Sequence, residues 1–369
     1  MDEHYMNRAF ELAQKGQGHT TPNPMVGAVI VQDGRIVGEG YHETFGGAHA
    51  EINALNDVQG QLNDATMYVT LEPCNHYGKT PPCSLSIANA SISRVVIASL
   101  DQSEKAGGGA AFLKKQGIDV TSGILHEKNE TLNRPFFHHI RTGRPYVVLK
   151  TAMSADGKIA TYTHDSKWIS NEQSRAFVHE LRHNLHAIMV GANTVLNDNP
   201  KLTARRAHEA SVNPVRIVID SGGVIPLDAN VLNTAEAPTI IVTTQHAETR
   251  RIKQYEAKGV RVIIARDHEG VIPMDTLMDV LGKEGIQSIL LEGGAHLNEA
   301  AMRAGIIQTY YNFIAPKLIG GKTAPTPISG EGVRMLSDAV SMRISEIKRF
   351  GDDVLIVYEM EEPYVHRNH

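Results

Sequence analysis

Residues 67–83 read MYVTLEPCNHYGKTPPC, and residues 46–51, upstream of them, read GGAHAE. Met67 to Leu71 is an apolar, β-branched run that predicts a strand, and it passes directly into Glu72-Pro73-Cys74, with Cys83 nine positions further on. His49 and Glu51 stand at the start of a predicted helix. Residues two apart diverge by about 200° along a helix flank, yet in the first turn both can converge on something beyond the helix end. One imidazole and two thiolates make three ligands suited to Zn²⁺ and leave the fourth tetrahedral position to water. A metal held in this way lowers the pKa of its water, and a carboxylate that is not a ligand is then needed to move protons. The predicted metal ligands are therefore His49, Cys74 and Cys83, with Glu51 as the catalytic group. Taken singly, each has a plainer reading as a helix cap or an idle thiol; the joint spacing favours the metal.

Outward from this segment the chain reads as α/β. HYMNRAFELAQK predicts a helix ended near Gly16 to Gly18, and the runs Met25 to Val31 and Ile36 to Tyr41 predict a hairpin across Asp33-Gly34. A helix over about Ala48 to Val58, a helix after Cys83 and a strand Arg94 to Leu100 follow, so the first half is expected to be a mixed sheet covered by helices. Gly107-Gly108-Gly109 reads as a flexible loop. NRPFFHHIRTGRP, residues 133–145, reads as a boundary, dividing the chain into domains 1–144 and 145–369. In the second half, strands are expected at Tyr146 to Thr151, Ala187 to Val190, Val215 to Asp220, Thr239 to Thr243, Val262 to Ala265, Ser288 to Leu291, Thr309 to Ala315 and Asp353 to Glu359.

Composition narrows the classes. A chain of 369 residues with 41% hydrophobic and 21% charged residues has enough apolar side chain for about two domains. A formal net charge of -5 argues against a nucleic-acid partner, which usually meets a strongly basic face. No apolar run approaches the ~20 residues that cross a bilayer, and the opening MDEHYMNRAF lacks an apolar signal core, so the expectation is a cytoplasmic protein with no membrane partner. Two cysteines are too few for a disulfide scaffold. Exposed strands in the second half leave room for pairing in a homo-oligomer.

The second half has no G-x-G-x-x-G after a strand. Its best nucleotide candidate is SILLEGGAHLNEAAMRAG, residues 288–305, where a strand meets Glu292-Gly293-Gly294 and a helix begins near Ala295. A glycine turn opening a helix offers backbone N–H groups and the positive dipole end to a phosphate. Arg182 and Arg205 are suited to a second phosphate, because guanidinium forks bind it bidentately and stay charged. Lys150, at a strand end, is a further candidate for this second site, placed below the two arginines because strand-end lysines usually just face water.

His-x-Glu followed by Pro-Cys and a second cysteine is similar to the signature of zinc-dependent nucleobase deaminases, although eight residues rather than two separate the cysteines here. PCNHYGKTPPC, HAE and the earlier TPNPMVGAVIV together resemble the deaminase half of the bifunctional riboflavin-biosynthesis deaminase-reductases. LKTAMSADGKIA, DSKWIS and GANTVLNDNPKLTARR resemble the reductase half, so the resemblance spans nearly the whole chain.

The resemblance implies a cytidine-deaminase-like mixed sheet with helices on both faces, then a dihydrofolate-reductase-like α/β domain that uses NADPH. It places Ala152, Trp168, Thr194, Asp198 and the turn Gly294, Ala295, His296, Leu297 and Asn298 beside the cofactor. Ser166, Arg182, Leu202, Arg205 and Glu292 would hold the sugar-phosphate substrate, and Lys79 would face a substrate phosphate in the first half. Asn23 and His42 are expected near the metal, within reach of the pyrimidine. The implied reactions are hydrolytic deamination of a phosphoribosylated diaminopyrimidinone and NADPH-dependent reduction of its ribosyl group to ribityl. Two other readings are a tRNA-editing deaminase with an RNA-binding second half, and a protein with structural zinc in which His76 or His42 is the fourth ligand.

Overall fold

The computed structural model describes residues 1–77, 81–103, 106–207, 210–268 and 270–361. The chain divides into two compact units, Met1–Gly143 and Arg144–His369.

In the first unit, α1 (Asp2–Gln14) precedes a hairpin of β1 (Gly27–Gln32) and β2 (Arg35–Tyr41). Its turn residues Asp33 and Gly34 have φ of 51° and 72°, as a two-residue primed turn requires. Then come α2 (Ala50–Asp57), β3 (Ala65–Leu71), α3 (Cys83–Ala88), β4 (Ile92–Ser99), α4 (Gly109–Lys115), β5 (Asp119–Ser122), α5 (His126–Leu132) and α6 (Arg134–Thr142). The sheet order is β2-β1-β3-β4-β5, antiparallel through β2, β1 and β3 and parallel through β3, β4 and β5. Because strand side chains alternate, Ile30, Met67, Val69 and Val95 pack against Ala50, Ala54, Ile87 and Leu113 on one face. Val29, Val31, Tyr68 and Val96 meet Met6, Ala9 and Phe10 of α1 on the other. The expected mixed sheet covered on both faces is what forms.

One reading changes here. The glycine triplet is no flexible loop: Gly108, at φ 93°, caps α4, and a Cβ on Gly109 would sit 1.9 Å from the Pro73 carbonyl oxygen. The boundary stretch 133–145 is itself largely helix α6, with proline in its first turn, where a missing N–H is tolerated, and left-handed Gly143 as its stop.

The second unit contains β6 (Tyr146–Ser154), α7 (Glu172–Asn184), β7 (Ala187–Gly191), α8 (Ala192–Asp198), β8 (Val215–Ile219), β9 (Thr239–Thr243), α9 (Thr249–Glu256) and β10 (Arg261–Ile264). After these come α10 (Met274–Lys283), β11 (Ser288–Leu291), α11 (Ala295–Arg303), β12 (Ile307–Ala315), β13 (Met342–Phe350) and β14 (Asp353–Met360). The nine strands run β10-β9-β8-β7-β11-β6-β12-β14-β13, parallel except that β14 is antiparallel to both its neighbours. Leu149, Met189, Ile217, Val242 and Leu291 pack under Leu277, Met278 and Leu281 of α10. Ile188, Val190, Val218 and Ile241 form the opposite face with Val195 and Tyr255. Unlike the other eight strands, β13 is absent from the sequence expectations: MRISEIKRF lies on the sheet edge with every residue but Phe350 exposed, so no buried face marks it.

Candidate active sites

In the first unit, α2 lies hard against β2 because Gly40 has no side chain; a Cβ there would be 2.3 Å from the Ala54 backbone nitrogen. This packing brings the start of α2 to the sheet. His49 is the N-cap of α2, in an extended conformation. Its Nδ1 lies 3.6 Å from Cys74 Sγ and 3.3 Å from Cys83 Sγ. All three donor atoms fall within 4.8 Å of one another. A tetrahedral ion bonded to N at about 2.0 Å and S at about 2.3 Å sets those ligands roughly 3.5 Å apart, so the donor set fits zinc. A hydrogen bond from the Cys83 thiol, outweighing burial, lowers the Cys74 thiol, and His49 adds to the effect. The same hydrogen bond, together with burial, raises the Cys83 thiol, so Cys74 is the thiolate of the pair and Cys83 its proton donor.

Glu51 is buried, and burial pushes its carboxyl up to about 7 against the pull of His49. A carboxyl in that range can both hold and release a proton near neutral pH. His42 is buried too, with Nδ1 2.9 Å from the Ala48 carbonyl oxygen and Nε2 3.1 Å from Asn23 Nδ2. Its ring stands edge-on to that of His49 at 5.5 Å. Asn23 and His42 are thus brought beside the metal donors, and His42 is committed to these two partners rather than to a fourth ligand position. His76 is not among the clustered donors, and Lys79 lies outside the described residues.

Sequence reading missed Glu72. Its buried carboxylate accepts the backbone N–H of Asp101 at 2.9 Å and of Ala110 at 2.8 Å, tying the Cys74 turn to the next loop and to α4. The signal was its place between a strand and Pro-Cys.

In the second unit a cavity of about 1260 Å³ opens beside β6, β7, β8 and β11. It exceeds the ~300–1,000 Å³ of a single-ligand pocket and has room for a dinucleotide and a second molecule. Ala152, Ser166, Trp168, Thr194, Asp198, Arg182, Arg205, Glu292 and the turn Gly294 to Asn298 all line it. Leu202 does not: it is 4% exposed and packs in the core with Val190 and Val195, as an apolar side chain there should.

The cavity wall carries a buried ion cluster. Glu292 accepts Arg182 Nε at 2.7 Å and Nη2 at 2.9 Å, and Lys150 Nζ at 3.0 Å. Burial raises the Glu292 carboxyl, but Arg182 and Lys150 outweigh it and hold the group well below its usual range. Lys150 is therefore not a lysine facing water; it lies inside β6, with its charge on Glu292. Trp168, 62% exposed, is no core residue, and the Arg175 guanidinium lies 4.5 Å from its ring centroid. Gly294 caps α11, whose first turn faces the cavity, and the Asn298 side chain donates to the Pro327 carbonyl. The helix N-terminus at its glycine turn fits the phosphates of a nicotinamide dinucleotide, and Arg205 beside the Arg182-Glu292-Lys150 cluster leaves a second, cation-lined part of the cavity for another phosphorylated molecule. Arg175 and His179, also in the lining, were missed because a helical Arg or His carries no distinctive pattern.

Comparison with known proteins finds a match for each half of the chain. The family model "RibD C-terminal domain" matches residues 145–356, and that for the "Cytidine and deoxycytidylate deaminase zinc-binding region" matches residues 1–99. The chain is 45% identical over 363 residues to the riboflavin biosynthesis protein RibD of Actinobacillus pleuropneumoniae, covering 98% of this chain and 96% of that protein. It is 39% identical to the Escherichia coli (strain K12) protein of the same name, covering 96% and 98%. A crystal structure of a diaminohydroxyphosphoribosylaminopyrimidine deaminase / 5-amino-6-(5-phosphoribosylamino)uracil reductase from Thermotoga maritima superposes with TM-score 0.86 at 34% identity, covering 97% and 98%. The alternatives of RNA editing and structural zinc find no support. A reductase-type family model over more than half the chain, joined to a zinc-deaminase region and whole-length relatives, establishes that the chain belongs to the RibD family, the bifunctional deaminase-reductases of riboflavin biosynthesis.

Proposed function

We propose that residues 1–144 carry the deaminase and residues 145–369 the reductase, each complete within one compact unit. In the first, His49, Cys74 and Cys83 hold zinc, which when bound supplies a Lewis acid that makes water a nucleophile near neutral pH. Glu51 would hold a proton taken from the attacking water and deliver it to the departing amino group, so that ammonia would leave and a carbonyl replace it. Asn23 and His42 border the space for the pyrimidine, and Lys79 is assigned to the phosphate. The convergence of three soft donors beside a buried carboxyl carries this reading.

In the second unit NADPH supplies the reducing equivalent. Ala152, Trp168, Thr194, Asp198 and Gly294 to Asn298 border it, while Ser166, Arg182, Arg205 and Glu292 hold the phosphorylated sugar; the Leu202 side chain stays with the core. Lys150 Nζ, held on Glu292, stands at the wall assigned to the ring-opened sugar. The Lys150-Glu292-Arg182 cluster carries this reading.

Purified protein incubated with the phosphoribosylated diaminopyrimidinone tests both. Ammonia release without NADPH and its loss in Glu51→Gln support the first; NADPH oxidation that fails in Arg182→Ala while ammonia release persists supports the second. No helix among the described residues is long and apolar enough to cross a membrane. A cytoplasmic location and a small-molecule rather than nucleic-acid partner are in keeping with the reduced cysteines and net negative charge. Pairing of two copies along exposed β13 is the proposed oligomer contact, checked by whether Ile344→Lys with Ile347→Lys reduces the mass in solution.

A further inference from the structure

One wall of the second unit's cavity is a strap, residues 316–330, that follows β12 and contains no helix or strand. Lys322, Ala324, Pro325, Thr326, Pro327 and Ser329 of this strap line the cavity. Its far end is tied to the first turn of α11, the turn assigned to the dinucleotide phosphates. There Asn298 Nδ2 donates to the Pro327 carbonyl oxygen at 2.8 Å, and Ser329 Oγ lies 3.0 Å from His296 Nδ1.

The near end is gripped by the tight turn that ends β6. Asp156 sits in that turn with its side chain exposed, a place where a carboxylate ordinarily meets water. Instead its Oδ1 accepts the Ile319 N–H at 3.0 Å and its Oδ2 the Gly320 N–H at 2.6 Å, 163 and 164 residues further along the chain. The Ser154 hydroxyl donates to Oδ1 at 2.6 Å and fixes the carboxylate in place. These three donors, the hydroxyl first, hold the carboxyl down to about 2, so the grip keeps its charge near neutral pH. Charge-assisted hydrogen bonds of this kind are about twice as strong as neutral ones. The strap needs them at this point: Gly320 and Gly321 have φ of 67° and 85°, and glycine loses more freedom on being ordered than any other residue. Beyond the glycines, Lys158 Nζ donates to the Ala324 carbonyl at 3.2 Å and the Ile159 N–H to that of Pro325 at 3.0 Å.

We propose that Asp156 is a positioning residue of the reductase: its carboxylate latches the strap against the turn after β6, completing the cofactor's side of the cavity, and so sets the affinity for NADPH rather than the turnover. The proposal rests on the reductase reading of this cavity. Asp156 acts through the strap and does not itself line the cavity.

Full-length wild type, Asp156→Asn and Asp156→Ala are compared by calorimetry with NADPH alone and by steady-state NADPH oxidation with the phosphoribosylamino uracil. Asp156→Ala is expected to raise both Kd and KM for NADPH about tenfold, as when the latched strap is populated roughly one time in ten, with kcat at saturation changed less than about twofold. Asp156→Asn, which keeps one accepting oxygen and loses the other, should fall between. A binding stoichiometry near one in each variant would place the loss in affinity and not in the folded fraction. Trypsin cleavage after the exposed Lys317 and Lys322, read from fragment masses, should be faster in Asp156→Ala, and NADPH should slow it in wild type. The unfolding temperature should change little, because the Asp156 side chain is exposed.

A wild type that neither binds nor oxidises NADPH would overturn the reductase reading itself. With wild type binding, an Asp156→Ala variant that matches it in Kd and KM, or that loses kcat at unchanged KM, would overturn the latch. Faster cleavage of the strap without loss of affinity would overturn it as well, since the strap would then be no part of the cofactor site.

Discussion

Glu51 and Glu292 are both buried carboxyls at the wall of a site, yet their proton affinities move in opposite directions. Among the described residues no cationic side chain is bonded to Glu51, so burial wins and raises it to about 7. Glu292 meets the same burial but touches Arg182 and Lys150, and the two cations pull it down. Burial sets the size of the stake, and the partners set its sign. The first site thereby has a group that exchanges protons, while the second has a fixed anion that holds cations in place.

Exchanging charge for an amide should break this contrast most sharply at Glu51. Glu51→Gln is expected to lower ammonia release by roughly 10²- to 10⁴-fold, the usual share of general acid-base catalysis. NADPH oxidation with the deaminated intermediate should persist, as coupled assays of the two half-reactions can establish. At Glu292 the same exchange should act on stability first. Glu292→Gln leaves two buried cations without their carboxylate, and losing one partner of a buried pair costs about 3–5 kcal/mol. Thermal unfolding should therefore shift markedly downward, with weakened substrate binding in the reductase assay and little change in the deaminase.

A smaller effect is expected from Gly40→Ala. Its Cβ would press on the α2 backbone, an overpacking worth about 1–3 kcal/mol. Because α2 carries His49 and Glu51, zinc content and ammonia release should fall together while NADPH oxidation continues. The smallest effect is a slope. A carboxyl depressed in the folded state contributes stability above its ordinary value of about 4.3, and this is lost as pH falls through the lower folded value. Unfolding followed from pH 7 downward should show a Glu292-dependent loss only below about 4.3, and Glu292→Gln should flatten that part of the curve.

The two sites also differ in how much of each can be read along the chain. His49, Cys74 and Cys83 fall within thirty-five residues and belong to the few side chains that bind zinc, so type and spacing are informative before any folding is known. Glu72 escaped because its partners are backbone amides of Asp101 and Ala110, which no side-chain pattern reveals. Strands β6 to β12 were legible from apolar β-branched runs, whereas β13 was not, since an exposed edge imposes no alternation. Gly109 looked like part of a flexible loop, but its lack of a side chain serves close contact with Pro73.

By itself, then, the sequence determined the order of strands and helices, the α/β class and the zinc-binding residue types, because periodicity and ligand chemistry are local properties. Only the tertiary structure decided which buried charges meet. Arg182 and Glu292 are 110 residues apart, and Lys150 joins them from another strand. Whether a buried carboxyl is raised or lowered depends on groups a few ångströms away in space, and the sheet order that brings them together is set by packing over the whole unit.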